Sequence, residues 1–292
     1  MIQTMGLTKR YGRARGIENL SIHVSRGDIY GFIGSNGAGK STTIRLLLGL
    51  IRPSGGSAKV LGLDILKHKK EILAGVGYVP SEISYYSGMR GMDAARMAAR
   101  LRRVECTAEA RRLAERLSLD LNRKVTDLSF GNKKKVAIVC ALQHKPDLLI
   151  LDEPTSGLDP LMQKAFWDII LERHRQGATV FLSSHVLSEI QQHCTRAAII
   201  REGRLVVEDD VRTLAQTAAK RVTLHNVRGE LPEIQGAKDM HWVGSTVSFL
   251  VQGDARQLLE DLRRGDFEDL TITEPDMEEI FLHFYENEGV RA

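Results

Sequence analysis

The sequence predicts a largely parallel α/β fold followed by a small α+β domain, and three observations carry that prediction. A short apolar run from Tyr30 to Ile33 leads into the turn-rich stretch Gly34 to Gly39 and then into a helical pattern from Ser41 to Leu50. Two further apolar runs, Leu148 to Leu151 and Ala178 to Leu182, end in polar residues: Asp152 and Glu153 after the first, Ser183, Ser184 and His185 after the second. Short buried strands with polar ends are what a parallel sheet shows at its functional edge. Near Thr217 to Lys220 the pattern shifts to alternating segments, which places the second domain from about there onward.

Composition agrees with a globular chain. The 292 residues allow one large domain, or a large one plus a small one. Hydrophobic residues make up 42% and charged residues 27%, which excludes a disordered or fibrous protein. A net charge of +4, from 41 basic and 37 acidic residues, is too even to argue for nucleic acid and suits an anionic nucleotide or an inner leaflet. Cys106, Cys140 and Cys194 are widely spaced with no CxxC pair, so neither a disulfide framework nor a zinc site is signalled and a reducing cytoplasm is expected. There is no run of about 18 apolar residues and no charged N-terminal segment leading into an apolar core, so the chain is expected neither to span a membrane nor to be exported.

Along the chain, Ala197 to Ile200 reads as a fourth strand, turning at Glu202-Gly203 into Arg204 to Val207. Met92 to Arg103 and Ala108 to Leu117 read as amphipathic helices with solvated, arginine-rich faces interrupted by Asp93, Glu105, Glu109 and Glu115. Beyond Lys220, Arg221 to Val227 and Thr246 to Val251 alternate like strands, Ala255 to Arg264 reads as a helix, Leu270 to Thr273 as a strand, and a final helix is expected from Asp276.

The strongest chemical signal is Gly34-Ser35-Asn36-Gly37-Ala38-Gly39-Lys40-Ser41, which fits G-x-x-x-x-G-K-[ST] in full between a strand and a helix. Its glycines let the backbone wrap a phosphate with N–H groups pointing inward, the helix N-terminus adds positive potential, and Lys40 reaches the β and γ phosphates of ATP. Ser41 supplies a hydroxyl to Mg²⁺, and Thr42 completes the ATP-binding set. The second signal is Leu148-Leu149-Ile150-Leu151-Asp152-Glu153, a buried strand delivering two carboxylates to the sheet edge. Asp152 is expected to hold Mg²⁺ and Glu153 to act as general base on the attacking water.

Further stretches fall in order around that strand. They are Leu128-Ser129-Phe130-Gly131-Asn132 upstream, Ser156-Gly157-Leu158-Asp159 downstream, His185 at the end of the next strand, and Tyr11 in Lys9-Arg10-Tyr11-Gly12. Together they resemble the ABC ATPase family of P-loop NTPases, specifically the nucleotide-binding subunits that serve separate permeases in drug, antibiotic or lipid export. Residues 128–132 look like the LSGGQ signature, residues 156–159 like the D-loop, His185 like the switch histidine, and Tyr11 like the adenine-stacking aromatic, the alternative for Tyr11 being a packed surface tyrosine.

The resemblance implies an ATPase domain over residues 1–216, with a helical subdomain about 82–145, and an accessory domain over 217–292. It also implies two subunits, in a homodimer or related heterodimer, each trapping Mg²⁺-ATP between its own Lys40 loop and the partner's Ser129, Phe130, Gly131 and Asn132. His185 would hold the γ-phosphate and the attacking water, giving Glu153, His185 and Lys40 as the catalytic set. An integral membrane permease is the second partner, no nucleic acid is expected, and the subunit would sit peripherally on the cytoplasmic face of the membrane.

The pattern departs from the family in three places. Phe130 stands where glycine is usual and Asn132 where glutamine is usual, while Ser129 and Gly131 are kept. In Gly77-Tyr78-Val79-Pro80-Ser81-Glu82, which looks like the Q-loop, Ser81 sits where a glutamine ligand to Mg²⁺ is expected, and Glu82 or a water would have to take over. The segment from Ser81 to Met92, with Ile83, Tyr85, Tyr86 and Met89, is the expected permease groove. The chain end Glu274-Pro275-Asp276-Met277-Glu278-Glu279-Ile280-Phe281 resembles the closing segment of exporter-type ATPases. A mechanical switch on nucleic acid or the ribosome is the competing reading, and a single phosphate loop without a sustained heptad run disfavours it.

Overall fold

The computed structural model describes residues 1–12, 14–217, 220–229, 231–251 and 253–273; the helix expected from Asp276 and the closing segment 274–281 lie outside them. The chain divides into two compact units, Met1–Asp209 and Asp210 onward.

The first unit is built on a six-stranded sheet in the order Arg204–Asp210, Arg196–Arg201, Ile29–Ile33, Thr179–Ser184, Leu148–Asp152 and Val76–Val79. Every pairing from Arg196–Arg201 across to Val76–Val79 is parallel. Ile29–Ile33, Leu148–Asp152 and Thr179–Ser184 are buried along their whole lengths, which is why they appear in the sequence as continuous apolar runs rather than as an alternation. Val76–Val79 takes the first half of the stretch expected to be loop, Gly77 to Val79, so the loop begins only at Pro80.

Register sets the site. Ile33 lies opposite Ser184, Phe32 opposite Ser183, and Ser183 in turn opposite Asp152. The three strands therefore end level, and Gly34, His185 and Glu153, the next residue of each, emerge along one sheet edge.

An antiparallel sheet joins Ala14–Leu20, Ile2–Tyr11, Gly55–Val60 and Leu63–Asp64 in that order, with His23–Val24 also paired to Ile2–Tyr11. Its Ile2, Leu7 and Val60 share one core with Phe32, Ile150 and Phe181 of the parallel sheet and with Ile44 and Leu47 of the helix Lys40–Leu47. The Phe181 ring lies 5.7 Å from Tyr30 and 5.4 Å from Phe32. At about 1.5 to 3 kcal/mol for each large side chain buried, this core fixes the helix, and with it the glycine loop, against the sheet.

The helices Gly91–Arg102, Thr107–Arg116 and Phe130–Leu142 fill the region expected to be helical. The arginine-rich faces are partly neutralised by ion pairs, Arg112 with Glu109 and Glu172 and Arg116 with Glu172. Phe130–Leu142 differs from the other two in that its residues 134–139, 141 and 142 are all buried, the mark of a helix enclosed on every side.

The second unit contains a four-stranded antiparallel sheet, in the order Ala237–Val243, Thr246–Val251, Lys220–His225, Asp269–Thr273. Val222, Leu224, Val247 and Phe249 pack with Leu258 and Leu262 of the helix Ala255–Leu262. Among the described residues, no helix is long and apolar enough to cross a membrane.

Candidate nucleotide site

The loop between Ile29–Ile33 and Lys40–Leu47 owes its shape to glycine. Gly37 and Gly39 have φ of 81° and 111°, values that L side chains rarely adopt. At Gly34 a Cβ would lie 2.7 Å from the Ile200 carbonyl oxygen, and at Gly39 2.8 Å from the Ile17 side chain. Ser35, Asn36 and Gly37 are exposed on the crest of the loop, Ala38 and Lys40 are buried, and Ser41 and Thr42 are half-buried. The Ala38 amide donates to Ser35 O at 3.1 Å, and the Gly203 amide donates to Ala38 O at 2.9 Å, which braces the loop from behind.

Lys40 is 6% exposed. Its ammonium donates to Gly34 O at 2.6 Å and Ser35 O at 3.3 Å, and it pairs with Glu153 Oε1 at 3.1 Å. The other Glu153 oxygen, Oε2, meets His185 Nδ1 at 2.6 Å. One carboxylate thus links the glycine loop to the histidine that ends the neighbouring strand. Glu153 holds this position with φ of 49°, a left-handed backbone uncommon in a residue with a side chain. Its amide donates to Ser183 O and to Ser183 Oγ, both at 3.2 Å. Asp152 is buried beside it and accepts from Ser183 Oγ at 2.6 Å. Ser183 therefore orients both acids. Sequence reading had it only as a strand end, although its position two residues before His185, on a strand adjacent to the acids, was the available signal.

The other expected residues fall into two groups. Ser129 caps the helix Phe130–Leu142, accepting from the Asn132 amide at 3.4 Å, and Asp159 caps Pro160–Arg175, accepting from the Met162 amide at 3.0 Å. The signature-like and D-loop-like segments touch. A Cβ on Gly131 would lie 2.5 Å from Gly157 O, so Gly131 is required by close approach, while Gly157, packed against the Phe130 ring, is favoured by its φ of 79°. Leu158 is buried as an anchor, whereas Ser156, Gly157 and the 51% exposed Phe130 face outward. A cleft of about 720 Å³ beside Glu153 and His185 is lined by Ser156, Gly157, Trp167 and His193, the last two rings stacked at 3.9 Å. Tyr11, at the tip of the Ile2–Tyr11 and Ala14–Leu20 hairpin, is exposed under the Lys9 ammonium, 5.2 Å from the ring centroid.

Lys134 was not anticipated. It is fully buried, with Nζ donating to Pro80 O at 3.1 Å and Ser81 O at 3.4 Å. Burial pushes its pKa down to about 8, against the pull of Asp152 and Glu153 toward the charged form. The loop residues expected to face a permease divide: Tyr86 is 74% exposed, while Tyr85 is half-buried and its hydroxyl donates to Lys133 O at 3.3 Å.

A parallel sheet that sets a glycine loop and lysine level with an aspartate, a glutamate and a histidine defines a P-loop nucleoside triphosphatase. Residues 17–156 match the family described as ABC transporter. The bacitracin transport ATP-binding protein of Bacillus licheniformis is 40% identical over 214 residues, covering 71% of this chain and 69% of that protein. The chain belongs to this family and is an ATP-binding, ATP-hydrolysing subunit of the ABC transporter type. It is also similar to the daunorubicin/doxorubicin resistance ATP-binding protein of Streptomyces peucetius, 34% identical over 78% of this chain and 71% of that one. A solved ATP-binding subunit of an ABC transporter superposes with a TM-score of 0.69 at 30% identity, covering 74% of this chain and 92% of that one.

Proposed function

We propose that the chain energises export of a drug, antibiotic or lipid through a separate membrane permease, working as one of two ATPase subunits on the cytoplasmic face. The names of the bacitracin and daunorubicin/doxorubicin relatives support the export reading. The observation that carries the catalytic part is Glu153, held between Lys40 and His185 at 3.1 and 2.6 Å.

In this reading the phosphates of ATP lie along residues 34–41, with the Lys40 ammonium on the β and γ oxygens. Glu153 accepts a proton from the water that attacks the γ-phosphorus, and the bond to His185 Nδ1 keeps its carboxylate oriented for that transfer. The hard-oxygen pair of Ser41 and Asp152 fits Mg²⁺, which takes one or two protein oxygens and fills its shell with water and phosphate. When bound, Mg²⁺ supplies charge neutralisation on the β and γ oxygens. Asp152, aligned by Ser183, and the Ser41 hydroxyl would hold it.

The Ser81 side chain is too short to replace the expected glutamine without an intervening water. The outward-facing patch of Ser129, Phe130, Ser156 and Gly157 supports a composite site in which this patch of one subunit covers the nucleotide of the other. Replacing Glu153 with Gln tests the assignment: ATP binding should persist, turnover should fall by about 10² to 10⁴, and ATP should hold a dimer visible by size-exclusion chromatography. Phosphate release near the wild-type rate would remove Glu153 from the role of base.

A further inference from the structure

We propose that Lys134 is a positioning residue for ATP turnover, pinning the Pro80 and Ser81 carbonyls so that the loop leaving strand Val76–Val79 is clamped to the helix that starts at Ser129. The proposal rests on the ATPase reading above and concerns residues outside the set assigned there.

A lysine enclosed in a helix buried on every side is costly unless its ammonium is satisfied. Here the nearest acceptors are main-chain oxygens, Pro80 O at 3.1 Å and Ser81 O at 3.4 Å. This is the point where the family resemblance expects a long polar side chain and the sequence has serine. A glutamine there is expected to reach Mg²⁺; Lys134 does not stand in for that ligand but anchors the loop itself, from the helix to the loop's own carbonyls. The same helix grips the loop a second time through the Tyr85 hydroxyl, which donates to the carbonyl of Lys133. Adjacent residues, Lys133 and Lys134, thus hold the loop at both 80–81 and 85.

The helix running from Phe130 to Leu142 is capped by Ser129, so Lys134 follows directly on the segment 129–132 expected to face the other subunit's nucleotide, with Lys133 alone between them. A displacement of that helix end is carried into the loop. The Asp152 and Glu153 carboxylates favour the charged form of the ammonium, the form that donates to both carbonyls. Lys134 touches no reacting atom in this scheme. Its effect runs through the loop it holds.

Lys134→Met fills the same space without a donor, and Lys134→Gln restores a donor to the two carbonyls. In Lys134→Met, amides of residues 81–89 should exchange hydrogen at least about 5-fold faster without nucleotide. Its kcat should fall about 10-fold while equilibrium ATP affinity stays within about 2-fold. Lys134→Gln should recover both readouts to within about 3-fold. The clamp is overturned if Lys134→Met keeps wild-type exchange and kcat, if its loss of kcat is matched by loss of affinity, or if Lys134→Gln is as slow as Lys134→Met.

Should Lys134→Met not fold, Tyr85→Phe decides: it removes only the second anchor, and should speed the same amides and lower kcat by about 3-fold. Wild-type values in Tyr85→Phe would then overturn the clamp. A wild-type protein that does not hydrolyse ATP would sink the ATPase reading, and the exchange comparison would still judge the clamp.

Discussion

The pair Lys40 and Glu153 should couple in the free subunit, and a double-mutant cycle measures it. Lys40 is 6% and Glu153 16% exposed, with Nζ and Oε1 3.1 Å apart. At that distance and an effective dielectric of about 20, the attraction is about 5 kcal/mol before desolvation, and withdrawing both charges from water offsets most of it. Lys40→Met leaves a half-buried carboxylate with His185 as its hydrogen-bond partner and should cost about 2 to 3 kcal/mol. Glu153→Gln leaves the ammonium its two carbonyl partners, Gly34 and Ser35, and should cost about 1 kcal/mol. The double variant should then cost about 1 to 2 kcal/mol less than the two singles added together. Urea unfolding without added nucleotide reads this through Trp167, which is buried in the first unit, in a Trp242→Phe background that removes the half-exposed tryptophan of the second. Additivity within about 0.5 kcal/mol would show that the ion pair contributes nothing to the stability of the free subunit, and would refute the coupling inferred from its geometry.

Three further outcomes are expected. Gly131→Ala drives a methyl group onto the Gly157 carbonyl, 2.5 Å from the ideal Cβ, so turnover should fall by about 10-fold or more while ATP binding by the isolated subunit is spared, as in Ser129→Ala. Loss of ATP binding by the isolated subunit in either variant would argue against a composite site. Tyr86→Glu should leave folding unchanged, whereas Tyr85→Glu, which places a charge where the half-buried phenol donates to Lys133 O, should lower stability by about 2 kcal/mol or more; matched melting curves for the two would refute the difference in burial. His144 is pushed down to about 4 by burial and by the nearby Arg102, below the 6.5 of the free side chain. The unfolded chain therefore binds the extra proton first, and the stability contributed by neutral His144 is complete above about pH 6.5 and lost as the pH falls toward 4, by about 1 to 2 kcal/mol after allowance for partial exposure. His144→Gln should lose less stability than wild type between pH 7 and 4.5, and identical losses would rule His144 out.

The parallel core was legible because its strands are buried on both faces and so read as unbroken apolar runs, as in Leu148–Asp152. The antiparallel sheet was not. Ile2–Tyr11 is interrupted by Gly6 with φ of 58°, and its pairings slip register between Leu7 and Lys9 and between Met5 and Thr8, so no steady alternation survives. Ala237–Val243 was missed for a related reason: its apolar residues Met240, Trp242 and Val243 are exposed, and its pairing slips register between Lys238 and His241, so no buried alternation marks it.

At the site, the glycine loop and the acid pair could be read because each is contiguous in sequence. Ser183 and Lys134 act through neighbours distant in the chain. Lys134 was further disguised by Lys133 and Lys135, a run that looks solvated until the helix continuing from it, Val136 through Val139, proves buried throughout.

The left-handed backbone at Glu153 has a consequence for how this protein tolerates change. A residue with a side chain pays about 1 kcal/mol to sit at such a φ, and glycine does not. At this one peptide the backbone and the chemistry thus favour different amino acids, and the strain that glycine relieves is about what the lost carboxylate contacts to Lys40 and His185 would cost. A library screened for abundance would find position 153 permissive, with glycine at no disadvantage, while the same library screened for transport would find it closed to almost everything except glutamate. The gap between the two maps identifies a residue retained for its chemistry against the preference of its own backbone. Ser183, whose hydroxyl and carbonyl both hold that backbone in place, should look intolerant on both.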